Sequence, residues 1–279
     1  MRIFLHLIKN RRKFTFIFLL LPSFCEQIHN YYLSLLLFNL KPGLAACLHN
    51  KYPVFCYLCI QICTDKMAEL VDIHTYHTND AAGIALRSLR VGYAKIIPAK
   101  PFSAGIHPWD IDTIDNIDTA LDYIKTADIE AVGECGADYL KNAGNKPAQL
   151  EVFRQQVEIA SSRRLPVIVH CVRAFEDIMS ILGYFPGIIA IFHGYIGSPQ
   201  QTARLINGGH YISAGLLSIR SPKTVQSLKA APLERIFLET DDNDITIDNI
   251  YSEASQAIGV PLPELKNAMY NNYIKLFDR

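Results

Sequence analysis

From residue 67 onward, short apolar runs alternate with segments of helical spacing, and this alternation constrains the fold more than any other feature of the sequence. There are about eight strand candidates, and most are separated from the next by a helix candidate. Alternation of this kind predicts a parallel sheet with crossover helices. We expect an α/β fold in which eight strands close into a barrel, and an open doubly wound sheet is the alternative. No Gly-x-Gly-x-x-Gly sequence follows the first strand candidate, which argues against a nucleotide-binding form of that alternative.

The strand candidates cover, in chain order, residues 70–73, 82–91, 102–106, 129–133, 167–170, 188–193, 211–214 and 236–241. The helix candidates cover residues 114–127, 147–164, 174–182, 199–207, 221–229 and 263–277. In the second helix candidate, one stripe of apolar residues is expected to face the core: Leu150, Phe153, Val157 and Ala160.

Four strand candidates end in, or directly before, a residue type that binds metal ions: Glu134, His170, His193 and Asp241. Their separations of 36, 23 and 48 residues suit one, one and two strand-helix units. Because the carboxyl ends of all strands in a parallel barrel open on one face, these side chains are expected to converge. Each residue alone also has a structural interpretation, as a hydrogen-bonded histidine or, for Asp241, as a cap of the next segment.

Two imidazoles and two carboxylates suit a borderline divalent ion, zinc or manganese, with an open position for water. A metal ion lowers the pKa of a bound water towards neutrality, so the pattern predicts hydrolysis near pH 7. Glu134 and Asp241 are the candidate catalytic residues, and Glu134 is the candidate to bridge two ions. Asp241 is the candidate both to bind metal and to accept the proton of the attacking water.

Other residues near these strand ends are candidates for binding substrate. Arg173 follows His170 by three residues, where its guanidinium could face an anionic substrate or form a surface ion pair. His107 precedes Pro108 and Trp109 at a strand end, and it could bind substrate or hold a loop in place. Trp109 could offer a stacking surface or simply pack in the core.

The first strand candidate continues into Asp72-Ile-His-Thr-Tyr-His77. Strand periodicity places His74 and Tyr76 on one face, and His77 points away unless the strand has already ended.

Seven stretches between residues 69 and 278 resemble the TatD family of metal-dependent hydrolases and run in family order: Asp72-Ile-His74, Gly105-Ile-His-Pro108, Gly133-Glu-Cys-Gly-Ala-Asp-Tyr139, Pro166-Val-Ile-Val-His-Cys-Val-Arg-Ala174, Phe192-His-Gly-Tyr-Ile-Gly-Ser198, Leu238-Glu-Thr-Asp241 and Asn272-Tyr-Ile-Lys-Leu-Phe277. The resemblance implies a TIM barrel of the amidohydrolase type. It also implies metal-dependent hydrolysis, usually of phosphodiesters in DNA. The residues that match the family's metal ligands are His74, Glu134, His170, His193 and Asp241. Tyr76 stands where the family has the second histidine of a His-x-His pair, which leaves open whether one or two ions bind.

We therefore expect a DNase or phosphodiesterase that uses one or two divalent ions (zinc, manganese or magnesium), acts on DNA or a small phosphodiester, and has no stable protein partner. Two alternatives remain. The same scaffold could hydrolyse a small amide, ester or lactone. Alternatively, the protein could bind metal with reduced catalysis, and Tyr76 is the residue that suggests this.

Charge and cysteine content divide the chain near residue 67. The chain has 27 basic and 27 acidic residues, and setting aside the eight and two in residues 1–66 leaves 19 and 25, a net charge of −6 for residues 67–279. The main part therefore lacks the basic field that drives non-specific nucleic-acid binding. Five of the seven cysteines precede residue 67, and two in the main part make no disulfide framework, so we expect a reducing, cytoplasmic location.

Residues 1–66 resemble nothing in the family pattern. Arg11-Arg-Lys13 followed by the apolar run 14–21 has the order of a signal peptide or membrane anchor, and Cys56-x2-Cys59-x3-Cys63 could suggest zinc or one face of a helix. We favour a third interpretation, an N-terminal extension outside a catalytic domain of residues 67–279, with Met67 as the effective start. Membrane association is expected only if residues 1–66 are present in the working protein.

Overall fold

A computed structural model describes residues 9–10, 13–14, 69–77, 83–94, 96–141 and 143–277 of the chain. The chain divides into two units, residues 1–66 and 67–279. In the first unit, Lys9–Asn10 pairs with Lys13–Phe14 in antiparallel fashion. The proposed leader run and the cysteine pattern of residues 1–66 lie outside the described residues, and the domain assignment stays a prediction. Among the described helices, none combines the length and apolar character that a bilayer crossing requires.

The second unit contains an eight-stranded parallel sheet in which the strands lie in chain order. The strands are β1 (Val71–Thr75), β2 (Ile84–Arg90), β3 (Phe102–Gly105), β4 (Ala131–Asp138), β5 (Val167–Val172), β6 (Ala190–Phe192), β7 (Tyr211–Ala214) and β8 (Ile236–Leu238). The helices are α1 (Ile117–Thr126), α2 (Lys146–Arg163), α3 (Phe175–Leu182), α4 (Pro199–Asn207), α5 (Leu216–Arg220), α6 (Pro222–Ala230), α7 (Ile247–Ile258) and α8 (Leu262–Phe277).

The first and last strands meet, so the sheet closes. Thr75 forms a parallel bridge with Asp241 just beyond β8. The N–H of Asp241 donates to the carbonyl of His74 at 3.0 Å, and the N–H of Tyr76 donates to the carbonyl of Asp241 at 3.1 Å. The predicted eight-stranded barrel is therefore confirmed, and the open-sheet alternative is wrong. Two of the residues that close the barrel, His74 and Asp241, are candidate ligands, so closure also positions part of the site.

A buried carboxylate reinforces this seam. Asp72 on β1 is fully buried and accepts hydrogen bonds from the N–H and the hydroxyl of Thr240, at 3.1 and 2.6 Å. A buried carboxylate is tolerated only when its oxygens have such partners. These two hydrogen bonds link the side chain of Asp72 to the backbone and the side chain of Thr240, where β1 meets the segment after β8.

The apolar core has two parts. The larger cluster packs the outer face of the sheet against the helices, and the smaller one includes Ile168 and Ile191. Because strand side chains alternate between faces, Ile168 shares a face with His170, and Ile191 shares one with His193. The candidate ligands therefore sit on top of an apolar layer, and full burial of each such isoleucine stabilises the fold by about 1.5–3 kcal/mol.

Helix α2 buries Phe153, Val157 and Ala160, as its periodicity predicts, whereas Leu150 is only partly buried. It also buries two glutamines that bond to strand backbone. Gln156 accepts from the N–H of Ile106 at 2.7 Å, and Gln149 accepts from the N–H of Asp138 at 2.7 Å. Both backbone groups lie at strand ends beside the site, so α2 fixes the positions of those ends.

Two predicted strand ends are wrong. Glu134 lies in the middle of the eight-residue strand β4, and His170 lies within β5, which continues to Val172. Gly136 suggests a turn in the sequence, but it has another purpose. A Cβ there would lie 1.9 Å from the carbonyl oxygen of His170, so glycine allows the two strands to approach closely.

Two helices lie where none is predicted, α5 and α7. The buried residues of α7 do follow helical spacing: Ile247, Ile250, Tyr251, Ala254 and Ile258. Aspartates and asparagines before and within its first turn resemble a loop in composition and obscure that spacing in the sequence.

Candidate metal centre

Glu134 lies at the centre of the site. Its carboxylate lies between four imidazoles: His74 Nε2 at 3.2 Å from Oε2, and His107 Nε2, His170 Nδ1 and His193 Nε2 at 3.0, 2.6 and 2.6 Å from Oε1. Glu134 itself is 2% exposed. The barrel therefore brings together side chains from β1, β4 and β5 and from the segments directly after β3 and β6.

Electrostatics keep this buried carboxylate charged. Burial by itself raises the pKa of Glu134, but the charge of His193 and hydrogen bonds from His107 and His170 outweigh it, so the pKa lies well below its ordinary value. For the same reason the pKa of His193 is raised well above its ordinary value despite burial, chiefly by the charge of Glu134. The charge of Glu134 therefore favours a positive neighbour, which is either a protonated imidazole or a metal ion whose binding displaces those protons.

The donor set fits a divalent metal ion. Two groups of three side chains each bring their ligand atoms within 4.8 Å of one another: His74, His193 and Asp241 form one, and His107, Glu134 and His170 form the other. In addition, both ring nitrogens of His74 and Nδ1 of His193 are buried without a hydrogen bond of good geometry, although His74 Nε2 lies 3.2 Å from Glu134 and 3.5 Å from Asp241. Buried polar atoms are normally satisfied, so these nitrogens point to a missing ligand. Nitrogen with carboxylate oxygen is a donor set that zinc and manganese accept.

Asp241 reaches the site from a strained backbone. Its φ is 56°, in the left-handed region that non-glycine residues rarely occupy. The hydrogen bonds that close the barrel hold it there and bring its Oδ1 to 3.5 Å from His74 Nε2. Burial raises the pKa of Asp241, but the hydrogen bond and charge of His74 lower it by more, so the carboxyl is ionised. Strain of this kind, held in place by surrounding structure, is typical of functional sites.

Tyr76 enters the site beside His74. Its hydroxyl donates to Glu134 Oε2 at 2.5 Å, and its ring packs edge-on against His74 with centroids 5.4 Å apart. Burial and the charge of Glu134 raise the pKa of Tyr76, so it remains a protonated donor. His77 does not take its place, because the His77 ring nitrogen Nε2 lies 2.8 Å from the carbonyl oxygen of Asn243.

Asp138 orients one of the candidate ligands. Its Oδ2 lies 3.2 Å from His170 Nε2 and accepts the indole N–H of Trp109 at 2.8 Å. A carboxylate on the far nitrogen of a ligand histidine fixes the ring and its tautomer. His170 therefore presents Nδ1 to Glu134.

Two carboxylates of the site were not predicted, Asp72 and Glu239. Glu239 is fully buried, its Oε1 lies 3.6 Å from His193 Nδ1, and it accepts the N–H of Gly194. A signal for both residues exists in the sequence, since each stands two positions before a predicted ligand and so shares its strand face.

The site opens into a cavity of about 300 Å³. The cavity is lined by Tyr76, Ser88, Arg90, Tyr93, Ala94, His107, Trp109, Glu134, His170, His193, Asp241 and Asp242. His107, predicted to bind substrate, is thus on its wall and also bonds to Glu134. Arg173, predicted to face an anionic substrate, is exposed and is not among the lining residues. Its role in substrate binding stays a prediction.

Comparison with known proteins places this site in a family context. The family model described as TatD related DNase matches residues 84–278. A putative deoxyribonuclease TATDN1 homolog of Enterocytozoon bieneusi is 29% identical over 186 residues, which are 62% of this chain and 66% of that protein. The 3′–5′ ssDNA/RNA exonuclease TatD of Salmonella typhimurium is 30% identical over 148 residues, 50% of this chain and 56% of that protein.

Solved structures agree on the fold. The YjjV TatD homolog from Escherichia coli superimposes with a TM-score of 0.66 and 22% identity, over 76% of this chain and 99% of that one. A TatD-family hydrolase from Entamoeba histolytica gives 0.59 and 19%, over 75% of this chain and 98% of that one. The chain spans about half to just under two thirds of the length of the curated relatives described above.

Proposed function

Because the chain belongs to the TatD-related DNase family, we propose that it is a divalent-metal-dependent hydrolase that cleaves phosphodiester bonds in DNA. The observation that carries this proposal is the ring of four imidazoles around Glu134, with Asp241 beside it, at the base of a cavity. A relative named as a 3′–5′ ssDNA/RNA exonuclease supports a single-stranded nucleic acid as the substrate class.

The residues that would hold the metal are His74, Glu134, His170, His193 and Asp241. When bound, one or two ions of zinc, manganese or magnesium would polarise a phosphoryl oxygen and lower the pKa of a water. Glu134 lies within 3.2 Å of all three of these histidines, a position that suits a bridge between two ions.

Asp241 is the proposed general base. It is ionised, and its side chain is 28% exposed on the cavity wall, whereas Glu134 is almost fully buried. It can therefore receive a proton from the attacking water, which Glu134 is too enclosed to do. His107, which also lines the cavity, would position the substrate, and Arg173 would steady its phosphate from outside the cavity.

The cavity volume also suits a second candidate function. About 300 Å³ is at the small end for ligand sites, enough for a terminal nucleotide or for a small amide, ester or lactone. Hydrolysis of a small substrate on the same centre is therefore the alternative. A third candidate is a protein that binds metal with reduced catalysis. The hydrogen bond from Tyr76 to Glu134 is the observation that favours it.

One assay series tests these functions. The full chain is incubated with a single-stranded oligonucleotide, a duplex, and a panel of small esters, amides and lactones. Each is measured with added manganese, magnesium or zinc, and again after chelation. We expect oligonucleotide hydrolysis that chelation abolishes and that Asp241→Asn reduces at least about 100-fold. Activity that survives chelation contradicts the metal mechanism, and turnover of the small substrates alone favours the alternative.

A further inference from the structure

Exposed apolar side chains lie at the end of the barrel that carries the site. Within the described residues, the large hydrophobic side chains that are at least 59% exposed number seven, and four of them follow the carboxyl end of a strand by two to four residues. These four form what we call the apolar rim: Tyr93, Leu140, Ile196 and Leu217. Of the other three, Ile96 and Ile97 lie in the connection that leads back to the start of β3, and Tyr184 precedes β6 at the opposite end. Scattered apolar residues are normal on a surface, but four on loops at the end of the barrel that carries the site suggest a contact surface.

The rim is continuous with the cavity. Tyr93 lines the cavity and is nevertheless 66% exposed. The Arg90 guanidinium lies 4.5 Å from the centroid of its ring, and Arg90 is itself held by a two-pronged ion pair with Asp110. One face of the Tyr93 ring is therefore supported while the ring remains largely accessible, an arrangement that suits stacking.

Other rim positions are tied to the site by short connections. The N–H of Leu140 donates to Asp138, the carboxylate that orients His170. Ile196 follows His193 by three residues, and Leu217 follows Gly215, which is close to Glu239. A ligand in the cavity meets Tyr93, and the other rim side chains lie on loops that leave the same end of the barrel.

Within the described part of the chain, two lysines at this end already contact aromatic rings, and acidic residues lie among the cations. Lys141 lies 3.2 Å from the centroid of Trp109, and Lys146 lies 4.2 Å from that of Tyr139. Asp242 and Asp244 follow β8 at the same end, and the chain from residue 67 is net acidic. Nucleic-acid affinity that came from phosphate neutralisation would need an excess of cations here.

We propose that the apolar rim binds the unpaired bases next to the scissile end of a single-stranded nucleic acid, so that affinity comes from base contacts more than from phosphate contacts. This inference rests on the proposed function. Bases offer apolar aromatic faces that stack on side chains such as Tyr93 whatever the sequence. A duplex hides those faces, so the rim discriminates against it.

The test measures equilibrium binding and kinetics of the full chain on the same fluorescent single-stranded oligonucleotides. One set carries abasic sites at the second and third nucleotides from one end or the other. A second set keeps the bases and replaces the same phosphates with neutral methylphosphonates. We expect the abasic change at the bound end to raise Kd and KM at least about 5-fold, and the phosphate change to alter them less.

Protein variants address the rim itself. Tyr93→Ala and the double change Leu140→Ser with Ile196→Ser are expected to raise Kd and KM at least about 5-fold, whereas Tyr93→Phe, which keeps the ring, retains binding. Tyr184→Ala is the matched control, because it removes an even more exposed tyrosine, 79% against 66%, from the other end of the barrel. The logarithm of the binding constant against the logarithm of salt concentration should have a slope no steeper than about −1.5, which corresponds to about two phosphate contacts.

The outcomes separate the two proposals. Hydrolysis with a salt slope steeper than about −3, or with unchanged Kd in the rim variants, overturns the rim proposal and leaves the proposed function standing. Binding that needs the rim without any hydrolysis overturns the proposed function instead, and absence of both overturns both. If the rim variants change the oligomeric state in sedimentation but not Kd, the rim is a contact between copies of the chain, and the proposal fails.

Discussion

At the scale of single residues, a buried carboxylate depends on its partners, and Glu134 has five: the imidazoles of His74, His107, His170 and His193 and the hydroxyl of Tyr76. A group enclosed to this extent is poorly placed to act as a mobile base. It is well placed to hold a cation in a low-dielectric setting, where charge interactions are strong.

Replacing Glu134 tests that role. Glu134→Gln keeps the shape and removes the charge, so we expect loss of bound divalent metal and a fall in activity of at least about 100-fold. Metal content after dialysis, measured by elemental analysis, is the direct readout. Glu151→Gln on the exposed face of α2 is the control. Unchanged metal content in the Glu134 variant would contradict the assignment.

Tyr76 is the residue at which the number of bound ions can be tested. In Tyr76→His an imidazole would replace the phenol that now donates to Glu134 Oε2, adding a ligand atom beside His74. If Tyr76 limits the number of bound ions or the catalytic activity, metal stoichiometry or activity rises in the Tyr76→His variant. Tyr76→Phe, which removes the hydroxyl and adds no ligand, should show no such gain. Equal stoichiometry and activity in all three proteins would exclude Tyr76 as the limiting residue.

At the scale of secondary structure, the candidate ligands are held by contacts between elements rather than within them. The seam between β1 and the segment after β8 places His74 and Asp241. Helix α2 reaches from outside the sheet to the ends of β3 and β4 through its buried glutamines. Disturbing either connection is therefore expected to affect both stability and the site.

Gln156→Leu tests the contribution of α2. It leaves the N–H of Ile106 without its acceptor, and an unsatisfied buried donor costs about 1–3 kcal/mol. We expect the free energy of unfolding in denaturant to fall by about that amount. Gln155→Leu is the neighbouring control, since its side chain is partly exposed. Equal losses in both variants would show that the strand-end contact is not responsible.

His210, just before β7, makes the barrel sensitive to acid. Its Nδ1 accepts the N–H of Ala190 at the start of β6, and burial with the nearby charge of Arg235 lowers its pKa from 6.5 to about 4. The unfolded chain then binds the proton more readily, so stability falls as pH drops from about 6.5 to 4, by up to about 3 kcal/mol.

The measurement is the free energy of unfolding across that pH window. His210→Asn can keep an acceptor near the Nδ1 position and removes the titrating ring, so its stability should fall less steeply between pH 6.5 and 4. A slope identical to that of the unaltered protein would mean that other groups set the acid sensitivity.

At the scale of the whole molecule, the two units differ in charge and composition. The second unit holds every candidate ligand, the cavity and the apolar rim. Both of its cysteines, Cys135 and Cys171, are free thiols, and the cytoplasmic location expected from cysteine use stays a prediction.

Removing the first unit tests the domain prediction. Residues 67–279 expressed alone are expected to keep the metal content, hydrolytic rate and thermal midpoint of the full chain, because every candidate ligand and the cavity lie within that unit. A loss of activity or of stability in the shorter protein would show that residues 1–66 take part.

Sequence periodicity and residue type determined most of the architecture: the parallel barrel and the identity of Glu134, His170, His193 and Asp241 as a candidate set, to which the family resemblance added His74. Both signals are local, because alternation with period two or 3.6 records which face of a strand or helix is apolar. The residues at which strands end were harder to predict from the sequence. Gly136 signals a turn in the sequence, but in the folded chain it allows a close approach between strands.

Only the tertiary structure decided how these residues meet. Barrel closure placed Asp241 beside His74, gathered four imidazoles on Glu134, and turned Tyr76 into a donor to that carboxylate. It also collected exposed apolar residues from separate loops into one rim. Such convergence depends on contacts between residues as much as 167 positions apart, from His74 to Asp241. Those contacts form only when the sheet closes, and local sequence does not encode their geometry.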